Sequence, residues 1–509
     1  MRRLGWVLVL VVAWGLVESP ASAAVKPNGL FTDNMVLQQG KKIPVWGTAD
    51  GEEQVTVHLE NQKASAQVKD GKWLIWLDPM KAGGPFEMTI RGENTITLKN
   101  VLVGEVWICS GQSNMQWPVT ASADSQQTIA NSANPQIRLY TVPHVTSDTP
   151  LSDVKGAWVE CGPQTVGGFS AVGYFFGKEL QAALKVPVGL INTSWGGTPA
   201  EAWTSRPMLE SHPELKGIVE HWERYAKDEY PKQMAAYEEQ VKKWKEAAEK
   251  AKSEGKKAPP QPKGPPDLNT PHRPSCLYNA MIHPLVPFAI QGAIWYQGES
   301  NAGRAYQYRT LFPAMIKDWR KAFAQGEFTF LCVQLAPFDG GMKENTWPEL
   351  REAQLLATRV LPNVGMAVIT DLGEKMDIHP KRKAEVGTRL ALAARALAYQ
   401  QNIVYSGPEY HDMKVDGDRI ILSFKHVGGG LVAKDGDLKG FTICGKDRTF
   451  VPAQAKIVGD TVVVSSPEVK EPVAVRYGWL NFPEVNLFNK EGLPATPFRT
   501  DDFEMITRR

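Results

Sequence analysis

Residues 105–115 read Glu-Val-Trp-Ile-Cys-Ser-Gly-Gln-Ser-Asn-Met, and this stretch decides the fold. Its first half is apolar at strand length and breaks into the polar run Gly111-Gln112-Ser113-Asn114-Met115. Similar apolar runs recur as QIRLYTV (136–142), VPVGLINTS (186–194), FAIQGAIWYQG (288–298), FTFLCVQLA (328–336) and VGMAVITDLG (364–373). Helical periods fall between them: AVGYFFGKELQAAL, RAYQYRTLFPAMIKDWRKAF and ELREAQLLATRVL. In the second of these, Tyr308, Leu311, Phe312, Met315 and Trp319 repeat at three and four, giving one apolar face. Short apolar strands alternating with helices predict a parallel sheet covered on both faces, an α/β domain with ligands beyond the carboxyl ends of its strands.

Either side of this block the pattern changes. Residues 24–103 predict a small β sandwich, with VTVHLE and MTIRG as strands and an Asp70-Gly71 hairpin turn inside VKDGKWLIWL. The α/β domain runs over 104–401, and residues 402–509 return to β. There DGDR (416–419), DGDL (435–438) and GDT (459–461) each predict a hairpin turn rather than a calcium loop, since no distal Glu follows. Residues 209–267 are a helical insertion with its linker. Met234, Tyr237, Val241, Trp244 and Ala248 form a stripe expected to lie on the helix's own domain, Pro231 separates two helices, and 254–267 (EGKKAPPQPKGPPD) is a polar linker.

The chain has 509 residues, 43% hydrophobic and 22% charged, with a net charge of +2. That excludes a disordered or collagenous chain and offers no electrostatic case for nucleic-acid binding. Residues 1–23 predict a secretory leader: Arg2-Arg3, then the apolar run 5–17, then Ala21-Ser22-Ala23 as a cleavage site. Its removal takes away Arg2, Arg3 and Glu18, so 57 basic and 55 acidic residues become 55 and 54, a net +1. The mature protein is expected to be exported to the periplasm or the medium, with no membrane segment left. Cys109, Cys161, Cys276, Cys332 and Cys444 form no metal pattern and sit mostly among apolar neighbours, so buried thiols are expected. No motif sets an oligomeric state.

Four polar motifs close strands of the α/β domain. Ser113, two residues after Gly111, sits on a tight strand-to-helix turn that presents its hydroxyl at the sheet edge. Asp377-Ile378-His379-Pro380 precedes the helical run KRKAEVGTRLALAARALAYQ, with Pro380 expected in its first turn; a histidine held by a carboxylate is the base a serine nucleophile needs. Trp295-Tyr296-Gln297-Gly298-Glu299-Ser300-Asn301 supplies side-chain amides, and Asn192-Thr193-Ser194-Trp195-Gly196-Gly197-Thr198-Pro199 supplies paired glycines whose N–H groups can approach a carbonyl.

Taken in order, GQSNM, NTSWGGTPAEAW, IWYQGESN and DIHP, together with LFTDNMVLQQ near the amino end, resemble the SGNH-hydrolase carbohydrate O-acetylesterases, specifically bacterial sialate O-acetylesterase-like proteins. The resemblance covers nearly the whole mature chain. It implies a three-layer α/β/α flavodoxin-like core flanked by β-sandwich-like domains, and a serine esterase of carbohydrate metabolism that hydrolyses O-acetyl esters on sugars without metal or organic cofactor. Ser113 would be the nucleophile and His379 the base. The oxyanion hole would use the Ser113 N–H, Gly197 and Gln297, with Asn301 in reserve. Many relatives carry Asp three residues before the His, where this chain has Met376; Asp377 is the expected acid, with Asp371 or a Ser–His dyad as alternatives. Gln112, Asn114, Trp195, Glu299, Asn301 and Arg304 would contact the sugar. Acetylated sialic acid is the expected substrate, with acetylated xylan or pectic side chains as an alternative and non-catalytic carbohydrate binding as another. The intact Ser113 and His379 pair separates an enzyme from a pure binder.

Overall fold

The computed structural model describes residues 24–508; the leader reading of 1–23 lies outside them. At its centre seven strands lie in the spatial order Val159–Cys161, Asn134–Thr141, Val188–Ser194, Thr95–Gly111, Gly292–Tyr296, Thr329–Val333, Val364–Ala367. All neighbours run parallel except the edge strand Val159–Cys161. On one side of Thr95–Gly111 the chain lays Asn134–Thr141 and the edge strand Val159–Cys161, returns to fill the adjacent place with Val188–Ser194, then crosses to Gly292–Tyr296 on the other side. That reversal places a topological switch point at the carboxyl end of Thr95–Gly111, directly before Ser113.

Strand residues sort by alternation, as a pleat requires. Trp107, Cys109, Leu190, Ile294 and Leu331 join the helices Ala171–Leu184 and Lys383–Leu397 in one core cluster. Val106, Ile108, Ile191, Ala293 and Phe330 join Ala305–Phe323 and Trp347–Val360 in another. The result is a mixed α/β fold with a large central sheet.

The strand Thr95–Gly111 is continuous across residue 103. Its first half pairs with Gly83–Arg91 in the amino-terminal β region, and its second half pairs with the parallel strands. One strand therefore couples both sheets. The Asp70-Gly71 turn forms with both φ values positive and is closed by the single bridge Lys69–Lys72, but the flanking strands Gln62–Gln67 and Lys72–Leu77 pair elsewhere, with Gln54–Leu59 and Ile43–Thr48. In the carboxyl-terminal β region, turns at Gly417-Asp418 and Gly459-Asp460 join paired strands. The DGDL segment does not: Leu431–Ala433 pairs with Leu487–Asn489, while the next strand Phe441–Cys444 pairs elsewhere.

The insertion also departs from expectation. Helix Pro213–Arg224 continues through a π-helical stretch, Tyr225–Glu229, into Tyr230–Ser253, so Pro231 sits in the first turn of the last segment and breaks nothing. No residue of Tyr230–Ser253 is fully buried. The apolar stripe is half-covered by the returning linker instead of by the domain: Trp244 donates to Pro259 O at 2.8 Å, and Tyr225 hydroxyl to Pro266 O at 2.9 Å. All five cysteines are buried free thiols, and burial pushes Cys276 up to about 11 and Cys161 and Cys332 up to about 12. Among the described residues no helix is long and apolar enough to cross a membrane, and no group of His, Cys, Asp and Glu is arranged to hold a metal ion.

Candidate active site

The turn after Thr95–Gly111 is tight enough to require glycine. Gly111 has φ +137°, and a Cβ there would lie 2.1 Å from Tyr296 O. Gln112 follows and is locked by its own N–H to Tyr296 O, 2.9 Å. Ser113 then opens a one-turn helix at the sheet edge. Its Oγ lies 2.8 Å from His379 Nε2, across 266 residues of sequence. The helix after the histidine begins at Lys383 and not at Pro380, so His379 stands on an extended loop four residues earlier. Trp117 stacks on the imidazole, ring centroids 4.8 Å apart at 16°. A cavity of about 630 Å³ opens over the pair, lined also by Gln116, His144, Asn192 and Ser194.

The acids separate clearly. Asp377 Oδ1 accepts the His379 backbone N–H at 2.9 Å and lies 3.8 Å from Nδ1, an ion-pair distance beyond hydrogen-bond reach. Asp371 is bound bidentately by Arg389 at 2.6 and 2.7 Å and is turned to that helix. Burial lowers the His379 pKa first, Lys383 lowers it further, and Asp377 opposes both.

The predicted oxyanion donors divide. Among the described residues Ser113 N–H and Gly197 N–H have no acceptor. Gly196 lies against Ser113, where a Cβ would stand 3.3 Å from Ser113 Cβ, and its N–H donates to Gln116 Oε1 at 2.6 Å. Gln297 is a correction. It is fully buried, its amide donates to Asn301 Oδ1 at 2.6 Å and to Thr198 O at 3.3 Å, and its carbonyl accepts from Tyr308 hydroxyl. Asn301 is engaged likewise, by Glu201, Ala200 N–H and Gln297. Both amides brace loops beneath the site. Asn192, on the cavity wall, keeps its Nδ2 without an acceptor among the described residues while Oδ1 accepts from Ser194.

The residues expected to touch sugar are mostly structural in this arrangement. Gln112 Oε1 accepts from Gly298 and Ser300 N–H, both at 3.3 Å. Arg304 pairs with Glu201 at 2.5 Å. Asn114 is buried and donates to Glu299 Oε1 (2.6 Å) and Ile378 O (3.0 Å) while accepting from Lys383 Nζ (2.5 Å). Trp195 stacks on His144, centroids 4.3 Å apart at 9°. Sequence reasoning placed Trp117 among aromatics at the rim but passed over Lys383 and His144; only the Lys383 position, four residues after His379, carried a signal.

These features can do acyl transfer: a hydroxyl in contact with an imidazole, with the unpaired Ser113 N–H on the same residue and the Asn192 amide on the cavity wall. Comparison with known proteins agrees. The family profile described as "Carbohydrate esterase, sialic acid-specific acetylesterase" matches residues 103–256 and 267–397, skipping only the returning linker. The chain is similar to the sialate O-acetylesterase of Pongo abelii, 31% identical over 97% of this chain and 95% of that protein. It is 30% identical to that of Homo sapiens over the same shares. Its structure resembles that of a carbohydrate acetylesterase from Xanthomonas citri, with TM-score 0.81, 37% identity, and coverage of 94% of this chain and 100% of that one. The chain therefore belongs to the carbohydrate esterase family of sialic acid-specific acetylesterases and is a carboxylic ester hydrolase.

Proposed function

We propose that this enzyme releases acetate from O-acetylated sugars, acetylated sialic acid foremost, through an acyl-enzyme on Ser113, with the three-layer SGNH core as its scaffold. The 2.8 Å contact between His379 Nε2 and Ser113 Oγ carries the reading. Neutral His379 takes the Ser113 proton as Oγ attacks the acetyl carbonyl. The developing oxyanion meets the N–H groups of Ser113 and Gly197 and the amide of Asn192, each worth roughly 3 kcal/mol of barrier. His379 then protonates the departing sugar oxygen. A water activated by the same base frees acetate and restores the hydroxyl. Asp377, too far to bond the ring, orients it through the His379 backbone and favours the imidazolium electrostatically. Trp117 gives the cavity wall an aromatic face for a sugar ring. The leader-like pattern of residues 1–23 supports export, and the periplasm or the medium is the proposed site of this chemistry.

Ser113→Ala is expected to abolish acetate release from acetylated sialic acid and from an aryl acetate, with an unchanged melting temperature. Unchanged turnover would refute the reading. One observation favours a second substrate class. Among the described residues lining the cavity none is lysine or arginine, whereas a sialate carboxylate is usually met by a cation. Neutral acetylated sugars, such as those of xylan, fit that wall equally. Comparing kcat/KM on acetylated sialic acid, xylan and pectin decides between them.

A further inference from the structure

Beneath the Ser113–His379 contact lies a second set of charged groups. Lys383 is 1% exposed and is the first residue of helix Lys383–Leu397. A cation at a helix amino terminus opposes the helix dipole, and a buried ammonium is costly, so neither helix formation nor packing accounts for it. Its Nζ donates to Asn114 Oδ1 at 2.5 Å. It also stands over two rings, 5.3 Å from the Tyr296 centroid and 5.8 Å from that of Trp117. The Trp117 ring is the one stacked on His379.

Asn114 distributes this contact. Being next to Ser113, it fixes the nucleophile turn. Its Nδ2 reaches Ile378 O, next to His379, and Glu299 Oε1, which closes the third motif. Three loops, from the ends of three different strands, thus meet on one amide, and Lys383 is what holds that amide in orientation. An asparagine could otherwise present either end; the ammonium can only donate and so meets its oxygen, which leaves the nitrogen for the Ile378 carbonyl and the Glu299 carboxylate.

We propose that Lys383 is a positioning residue: through Asn114 it ties the Ser113 turn to the His379 loop, and its ammonium behind Trp117 keeps the His379 imidazole neutral. The proposal rests on Ser113 and His379 being nucleophile and base. The groups facing the imidazole are Ser113 and Trp117 from one loop, Asp377 from its own, and Lys383 from the helix. Those facing Lys383 are Asn114, Glu299 and Tyr296, with Asp377 and Glu374 acting on it across the loop. Burial brings Lys383 down to about 7 and takes His379 below its ordinary value, so the ammonium is the larger fraction where His379 protonates.

The test uses the full chain and an aryl acetate, with melting temperature recorded for each variant. Lys383→Met is expected to cut kcat about tenfold or more while KM stays within about twofold, because geometry at the reacting atoms is lost and binding is not. It is also expected to move the acid limb of kcat/KM to higher pH by about half a unit or more, since a positive neighbour has gone. Lys383→Arg, which keeps the charge, leaves that limb in place. A folded Lys383→Met with the wild-type limb, or the two variants shifting it alike, overturns the proposal. If Lys383→Met does not fold, Asn114→Asp carries the test: it keeps the acceptor for Lys383 but loses the donor to Ile378. It is expected to lose kcat, and wild-type kcat would overturn the proposal. Ser113→Ala in parallel separates the two readings. An active Ser113→Ala sinks the nucleophile assignment, whereas an inactive one beside an unshifted Lys383→Met sinks only the role of Lys383.

Discussion

His379 sits between opposing influences, and their balance sets the working pH. Burial and Lys383 both disfavour the imidazolium, and only Asp377 favours it, so the pKa lies below the ordinary histidine value of 6.5. In the proposed mechanism the active form is neutral, so a lowered pKa extends activity toward acid. The acid limb of kcat/KM in the wild-type enzyme is expected to have its midpoint below about 6.5; a midpoint above 7 would contradict that balance. Two amides make a second contrast at this scale. Asn192→Ala is expected to lower kcat about 10²-fold with normal folding, as loss of one oxyanion donor does. Gln297→Ala is expected to act on stability instead, by about 1–3 kcal/mol, because Asn301, Thr198 and Tyr308 lose a buried partner. Thermal melts and kcat on the same preparations check both. The contact between Ser113 and His379 could be anticipated because Ser113 directly follows an apolar strand, His379 lies in the loop after another, and both carry distinctive chemistry. Gln297 misled because an amide after a strand looks the same whether it faces substrate or a buried carbonyl; Thr198 and Tyr308, distant or unremarkable in sequence, decide it.

Among the elements, the helix Tyr230–Ser253 shows where periodicity stops being informative. Its 3-4 stripe correctly marks a helix with one apolar side, but periodicity says nothing about what covers that side. The cover is the linker, whose prolines hold an extended path and offer carbonyls to Trp244 and Tyr225. The family profile skips 257–266, part of this cover. Replacing 257–266 by a glycine–serine segment of equal length is expected to leave kcat/KM within about twofold, because no residue of the insertion lines the Ser113 cavity. Hydrogen exchange in 230–253 is expected to rise in the same variant, since a helix without tertiary cover is marginal in water. Unchanged protection there would mean that the linker is not what supports the helix. The DGDL segment teaches a related lesson: turn chemistry marks a reversal of the chain, yet pairing across it needs facing strands, and these two strands take other partners.

Across the whole molecule, the domains read from composition are joined more tightly than composition suggests. A change from alternating to continuous apolarity near residue 103 marks a real difference in burial, but a single strand, Thr95–Gly111, carries the chain through it. The carboxyl-terminal β region is tied on by Arg351. This guanidinium is fully buried and has no carboxylate partner among the described residues. It donates instead to Leu335 O and Ala336 O under the sheet and to Leu480 O and Asn481 O of the β region. Burial lowers its pKa to about 9, which still leaves it charged at neutral pH. Arg351→Met keeps most of the volume and removes every donor. Ala336 O and Asn481 O retain other N–H partners, from Trp347 and Phe338, so two carbonyls, Leu335 O and Leu480 O, are left without one. Leu335 O is buried whereas Leu480 O belongs to an exposed residue, so the loss of both partners costs about 1–3 kcal/mol, most of it at Leu335. The melting temperature is expected to fall by several degrees, with kcat/KM at 25 °C near wild type because Ser113 and His379 are held by other contacts. A calorimetric trace that separates into two transitions would show that Arg351 couples the β region to the sheet; a melting temperature equal to wild type would show that the interface is held elsewhere.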